Sequence, residues 1–173
     1  MRVDIVRGVA TLVLAIAACK RSGTAAHGEL VASWSGSDTG RVVAGARTSW
    51  CPVARRLEVL ATKDDRGFGL VLYPAQDSIA PGTYPGFDPG VDTVHRPGSA
   101  GAVRWFAERS VVAYQSDSGS IQAERGDRGL ELTFGFRMRS LNGRDTIRAT
   151  GSARDLAPGP CAADSVPGAA PRQ

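Results

Sequence analysis

Apolar and polar side chains alternate with a period of two along much of the chain, most clearly in residues 130–138. Every second residue of this segment is apolar, which is typical of a β-strand with one buried face. The apolar members are Leu130, Leu132, Phe134, Phe136 and Met138. The sequence shows no convincing apolar stripe with the period of a helix. The pattern therefore predicts an all-β protein.

A glycine turn follows this strand and sets a register for its partner. Asn142-Gly143 is a strong signal for a two-residue hairpin turn, and it would place Met138 opposite Ile147 and Phe134 opposite Gly151. Large side chains would then face small ones on the buried side. A slip of one residue would reverse every side chain, so the register is well determined.

A second turn, Gly126-Asp127, precedes the same strand and would place Ala123 opposite Leu130. The two turns predict a meander of three strands near residues 119–125, 129–140 and 144–154. Asp117-Ser118-Gly119 is interpreted as the turn that leads into it.

Shorter alternating segments lie upstream, and residues 74–100, with five prolines, predict a long loop. We expect a single domain over residues 28–161, an antiparallel β-sandwich or a partly open barrel of about eight strands. Residues 162–173 are predicted to be a disordered tail.

The first residues have the composition of an export signal. Arg2 and Arg7 precede an uncharged apolar stretch over residues 8–18, which is too short for a stable transmembrane helix. Ile16-Ala17-Ala18-Cys19 resembles the lipobox of bacterial lipoproteins. The resemblance implies a signal peptide over residues 1–18, lipidation of Cys19 and a lipidated tether over residues 19–27. Ordinary signal cleavage after Ala17 or Ala18 is the alternative.

Export also changes the interpretation of the cysteines. If Cys19 carries lipid, Cys51 and Cys161 remain, and an oxidising compartment favours a disulfide between them. Two free buried thiols are the alternative. Lys20 follows the lipobox where inner-membrane lipoproteins of enterobacteria carry aspartate, so the outer membrane is slightly favoured.

Composition excludes several classes of protein. Hydrophobic residues make up 42% of the 173-residue chain and charged residues 22%, which argues against an acidic disordered chain and a multi-span membrane protein. The net charge is +4, but basic and acidic residues are interleaved. We therefore expect a solvated surface and no binding of nucleic acid.

Three short segments resemble small exported lipoproteins of uncharacterised function. They are Ala80-Pro81-Gly82-Thr83-Tyr84, Ser118-Gly119-Ser120-Ile121 and Thr146–Ala153. The resemblance implies a β-sandwich domain. These motifs consist of turn and strand residues, so they imply no catalytic residue.

Other short motifs have simpler explanations than chemistry. Asp38-Thr39-Gly40 and Asp117-Ser118-Gly119 match the aspartic-protease triplet, but the preceding residues are polar and the chain is too short for two lobes. Arg125-Gly126-Asp127 spells an adhesion tripeptide, yet it fits a hairpin tip. Asp88 and Asp92 with His95 could bind a divalent cation, but we expect an exposed loop without metal.

Aromatic residues of the long loop are the candidate contact surface. Tyr84 and Phe87 could form a surface for a ligand or partner, although Tyr84 could instead pack against its own loop. Tyr73 is expected in the core.

Together these patterns predict an exported, membrane-anchored protein of the cell envelope with a binding or structural role, no catalysis and no cofactor. Its expected partners are the membrane, through the lipid, and an envelope protein or a small apolar ligand. The alternative function is a carrier of a small apolar ligand or lipid in a barrel-like cavity. A carrier needs an unfilled cavity among the inward residues, whereas large residues opposite small ones favour a packed interior.

Overall fold

The computed structural model describes residues 28–108 and 110–161. Within them the chain forms ten β-strands and no helix, so the prediction of an all-β fold is confirmed. The strands are β1 (Glu29–Gly36), β2 (Gly40–Cys51), β3 (Arg56–Lys63), β4 (Arg66–Tyr73), β5 (Gly82–Pro85), β6 (Gly98–Ala107), β7 (Ser110–Gly126), β8 (Gly129–Ser140), β9 (Thr146–Leu156) and β10 (Gly159–Pro160).

Eight of these strands form a closed antiparallel barrel. They follow one another around the wall in the order β1-β2-β3-β4-β6-β7-β8-β9, and β1 pairs with both β2 and β9. Of the two predicted architectures, the structure is a barrel, and its wall is closed. Closure gives each of these strands a partner on both sides, which a two-sheet sandwich would not do.

The predicted pairing of β8 with β9 is confirmed. Met138 lies opposite Ile147, and Phe134 lies opposite Gly151. A Cβ atom at Gly151 would lie 2.6 Å from the Phe134 ring, so glycine leaves the space that this ring fills. Large and small residues therefore interlock on the buried face.

The predicted register between β7 and β8 is wrong by two residues. Ala123 lies opposite Leu132 rather than Leu130, because the turn is formed by Asp127 and Arg128 and closes on the pair Gly126 and Gly129. Gly129 has a φ of +150°, which side chains rarely adopt. A shift of two leaves every side chain on its predicted face because the strand period is two.

The predicted turn at Asp117-Ser118-Gly119 is also wrong. These residues form a β-bulge inside β7, where the register shifts between Ser116 and Ser118. Gly119 has a φ of +124°, and a Cβ atom there would collide with the carbonyl oxygen of Gly135. The bulge lets one long strand continue where a turn was expected.

The predicted loop over residues 74–100 contains a piece of the barrel wall. β6 pairs with β7 through Ala102–Ala107, and beyond that point β5 takes its place beside β7. The buried hydroxyl of Ser99 donates to the carbonyl oxygen of Tyr84 (2.7 Å), and that of Ser116 donates to the carbonyl oxygen of Phe87 (3.1 Å). These bonds satisfy backbone groups where the wall changes partner.

The interior of the barrel is packed. Phe68, Phe134 and Phe136 stack with ring centroids 5.2 Å and 6.1 Å apart. At one end, called here the aromatic end, Trp34, Trp105 and Tyr114 form a second stack with spacings of 5.6 Å and 5.7 Å. Leucines, Ile121 and Met138 fill the remaining space. This solid core agrees with the large-to-small pairing of the strands.

Candidate functional site

The end of the barrel opposite the aromatic end, called here the mouth, holds an open pocket of about 560 Å³. β2, β7 and β9 end here, and β3 and β8 begin here, because neighbouring strands run in opposite directions. A pocket of this volume lies within the range of small-molecule sites, which is about 300–1,000 Å³. The lining residues are Trp50, Leu57, Asp77, Ser78, Ile79, Arg125, Gly126, Gly129, Leu130, Leu156, Ala157 and Pro158.

Two cross-strand pairs make the apolar walls of this pocket. Trp50 of β2 lies opposite Leu57 of β3, and Leu130 of β8 lies opposite Leu156 of β9. Leu57 and Leu156 are fully buried, whereas Trp50 and Leu130 are half-buried. The walls are therefore the outermost layer of the barrel core, left partly uncovered at the mouth.

The rim loop, residues 74–81, follows β4 and covers part of the mouth. Its Ile79 packs against the core, and its Ala80 accepts a hydrogen bond from the Tyr84 hydroxyl (2.9 Å) and donates one to it (3.1 Å). Burial raises the pKa of the Tyr84 phenol, and the hydrogen bond with Ala80 lowers it by a smaller amount. These two hydrogen bonds fix Ala80 of the rim loop to the buried side chain of Tyr84.

Two arginines hold the other side of the rim loop. Arg55 pairs with Asp77 (2.8 Å) and donates to the carbonyl oxygen of Ala75 (3.0 Å). Arg96 donates to the carbonyl oxygens of Arg55 (2.6 Å) and Pro74 (3.2 Å). The loop that lines the pocket is therefore fixed at both of its ends.

A disulfide fixes the third side of the mouth. It joins Cys51, at the end of β2, to Cys161, so the predicted pairing of these cysteines is confirmed. β10 lies parallel to β2 just before Cys161, which places Ala157 and Pro158 at the pocket.

The same two cysteines do not form a metal site. In residues 28–108 and 110–161, the potential metal-ligating side chains that cluster within 4.8 Å are Cys51, Glu58 and Cys161. The two sulfur atoms are bonded to each other, so they cannot serve as thiolate ligands.

Arg125 supplies the free charge of the pocket. It continues the inward-facing series of Ile121 and Ala123 at the end of β7, and it lies opposite Leu130. Among the described residues its guanidinium has no hydrogen bond or ion pair, whereas the carboxylate of Asp77 is paired with Arg55. The pocket thus combines apolar walls with one unpaired cation at the rim.

The predicted contact surface at Tyr84 and Phe87 is wrong. Tyr84 is 4% exposed and Phe87 5%, because residues 82–87 complete the wall of the barrel. Tyr84 lies opposite Ile121 and faces the interior, and the Phe87 ring packs between Tyr73 and His95. Neither ring is available to a partner.

The acidic residues that suggested other chemistry lie in ion pairs or turns. Asp117 pairs with Arg137 (3.3 Å) and Arg139 (3.9 Å), and Asp88 pairs with Arg139 (2.9 Å). Asp92 accepts a hydrogen bond from the backbone of Asp88. These contacts fasten a surface loop to β7 and β8.

Some predicted residues lie outside the described part of the chain. They are the lipidation site Cys19, the tether 19–27, the signal peptide 1–18 and the tail 162–173. Within residues 28–108 and 110–161, no helix is long and apolar enough to cross a membrane.

The protein is therefore a closed eight-stranded barrel with a packed interior and an apolar pocket at its mouth. Comparison of the chain with models of protein families, with curated proteins and with solved structures finds no match.

Proposed function

We propose that this protein is a lipid-anchored, non-catalytic binding protein of the cell envelope that holds a small apolar ligand at the mouth of its barrel. The observation that carries the binding role is the open pocket of about 560 Å³ with apolar walls. Transfer of an apolar ligand from water to such walls is favourable, at about 25 cal/mol per Å² of buried apolar surface.

The sequence-based alternative places a ligand in a cavity inside the barrel, whereas the pocket lies at the mouth. A carrier with its ligand inside the barrel would need an empty lumen, but Phe68, Phe134 and Phe136 fill the middle of this one. The proposed ligand therefore lies in the mouth, above the packed core, where Leu57 and Leu156 form the floor.

The binding role can be tested with an uncharged dye whose fluorescence rises in apolar surroundings, such as N-phenyl-1-naphthylamine. Ile79→Asp would place a charge beside the pocket, and we expect it to weaken binding by about tenfold, or about 1.4 kcal/mol. Val111→Asp is the matched control because Val111 is 57% exposed and lies near the aromatic end. Equal binding by both variants, or no saturable binding by the parent chain, would refute the mouth as the site.

The lipid anchor is proposed from the lipobox-like residues Ile16–Cys19. Its test is the intact mass of detergent-extracted protein, measured before and after thiol alkylation without reductant. A mass for residues 19–173 plus acyl and glyceryl groups, with no alkylation, would support both the anchor and the disulfide. A lipid-free mass that begins after Ala17 or Ala18 would refute the anchor.

The proposed location is the outer membrane, based on Lys20 after the lipobox. Separation of inner and outer membranes by density, followed by detection of the protein, tests it. Recovery with the inner membrane would contradict the location without affecting the anchor.

A further inference from the structure

We infer that the mouth pocket selects amphiphiles with one apolar chain and one anionic head group, and that Arg125 binds the head group. This inference rests on the proposed binding function and adds the chemical class of the ligand. The shared chemistry is a carboxylate or a phosphate at the end of an alkyl chain.

The unpaired charge of the pocket is positive and belongs to Arg125. A guanidinium is charged at all ordinary pH values and offers five N–H donors in a planar fork that matches a carboxylate or a phosphate. Within the described residues, Arg125 has no partner of its own, so binding an anion would require no existing ion pair to break. Its position in line with Ile121 and Ala123 places it on the inward-facing side of β7.

Two acidic side chains at the mouth, Asp77 and Asp155, are already in ion pairs, whereas the Glu131 carboxylate lies against Gly126 and has no ion pair among the described residues. Asp77 lines the pocket but pairs with Arg55 (2.8 Å). Asp155, next to Leu156, pairs with Arg128 (2.7 Å). The Ser78 hydroxyl at the rim adds a further donor. Among the side chains that line the pocket themselves, the unpaired charge is therefore the positive one of Arg125.

The charge of Arg125 is separated from the apolar walls of the pocket. Arg125 is exposed at the rim, whereas Leu57 and Leu156 are fully buried in the floor. An alkyl chain could contact Trp50, Leu57, Leu130 and Leu156 while its head group stays in water beside Arg125. No charge would have to be buried, so this arrangement avoids the large cost of desolvating an ion.

The predicted tether would join the barrel beside the mouth. A Cβ atom at Gly28, the first described residue, would lie 2.9 Å from the side chain of Leu156, so the chain enters the barrel beside the pocket. The nine residues 19–27 extend at most about 30 Å. Lipid on Cys19 would therefore keep the mouth near a bilayer, which is where single-chain amphiphiles collect.

The experiment compares four probes with the same ten-carbon chain: decanoate, decyl phosphate, decanol and decyltrimethylammonium. The chain over residues 19–173 with Cys19→Ser, which lacks both the predicted signal peptide and the acylation thiol, would be purified without detergent. It would be titrated by calorimetry below the micelle concentration of each charged probe and below the solubility limit of decanol. We expect decanoate or decyl phosphate to bind about tenfold tighter than decanol, and the cation to bind weakest. The tighter of the two anions identifies the source, a free fatty acid or a lipid phosphate.

Arg125→Gln is the decisive variant, with Arg128→Gln as its control. Arg128 lies at the same hairpin but is 79% exposed, pairs with Asp155 and does not line the pocket. We expect Arg125→Gln to remove the preference for anions by lowering their affinity about tenfold, while decanol binding and the unfolding midpoint in urea stay unchanged. Arg128→Gln frees the Asp155 carboxylate, so it should lower the affinity for the two anions by no more than about twofold and should keep their preference over decanol.

The outcomes separate the two proposals. Equal binding of all four probes, or an anion preference that survives Arg125→Gln, would overturn the inference but leave apolar binding at the mouth in place. The absence of binding by any probe would overturn both. A change of tryptophan emission on adding decanoate that Trp50→Phe abolishes would support the mouth as the site, and a change that persists in this variant would count against it.

Discussion

The two ends of the barrel are formed by the same eight strands but are filled differently. At the aromatic end, Trp34, Trp105 and Tyr114 stack across the lumen, and Trp34 and Tyr114 are buried. At the mouth, the inward positions carry Trp50, Leu57 and leucines on β8 and β9, which leave about 560 Å³ open. The size and placement of the inward side chains, rather than the sheet itself, decide which end of the barrel is open.

The ends also differ in how they are held together. Stacked rings stabilise the aromatic end through burial and contact between the rings. The mouth depends on a few single links, namely the disulfide Cys51–Cys161, which joins distant segments, and the hydrogen bonds between Ala80 and Tyr84, which lie four residues apart. The mouth should therefore be destabilised when a single link is removed, whereas the aromatic end should be destabilised when a buried ring is truncated.

The largest expected effect is loss of the disulfide. Cys51→Ser combined with Cys161→Ser opens a covalent loop with a sequence separation of 110. Chain entropy predicts a loss of about 4–5 kcal/mol in the free energy of unfolding, measured by urea denaturation. Dye binding at the mouth should fall, while the near-ultraviolet circular dichroism of the tryptophan stack persists. Loss of that signal together with binding would show that the two ends are not independent.

The second prediction compares one tryptophan from each end. Trp34→Ala removes a ring that is 3% exposed and should cost about 3–5 kcal/mol in urea unfolding. Trp50→Ala removes a half-buried ring beside the open pocket and should cost no more than about 2 kcal/mol. A larger loss for Trp50→Ala would contradict the contrast between a filled end and an open one.

The third prediction concerns the link between Tyr84 and the rim loop. Tyr84→Phe removes both hydrogen bonds to Ala80 and should cost about 1 kcal/mol in the free energy of unfolding. Dye binding should weaken as well, because Ile79 of the same loop lines the pocket. Unchanged binding would show that the rim loop keeps its place without Tyr84.

The pH dependence of the same variant gives an independent check. Burial raises the pKa of Tyr84 above about 10, its ordinary value, so the folded protein keeps this proton at a pH where the unfolded chain has lost it. The stabilisation is complete below about pH 10 and is lost as the pH rises further. Between about pH 8 and 11, the free energy of unfolding should fall less steeply with pH for Tyr84→Phe than for the parent chain.

The smallest effect is expected at the exposed pair of Arg55 and Asp77. The Asp77 side chain is 86% exposed, so Asp77→Asn should change the free energy of unfolding by less than about 1 kcal/mol. Freeing Arg55 should raise the affinity for decanoate about twofold, measured by calorimetry. A fall in affinity would indicate that the rim loop, rather than the charge, governs binding of the anion.

The sequence contained a partial signal for the site. Arg125 continues the inward-facing series of Ile121 and Ala123, and an arginine can occupy such a position at the end of a strand because its charged head reaches water. Tyr84 and Phe87 carried a misleading signal, because aromatic residues among prolines and glycines resemble an exposed loop. Their burial depends on pairing of Gly82–Pro85 with Ser120–Ala123, about 40 residues away.

The sequence by itself determined what depends on neighbouring residues. Alternation identified the strands and their buried faces, and Asn142-Gly143 set the register of β8 and β9. The tertiary structure decided closure of the barrel, insertion of β5, the bulge at Asp117 and the open mouth. These features depend on strand tilt and on pairing between distant segments, and a local period of two is the same in a sandwich and in a barrel.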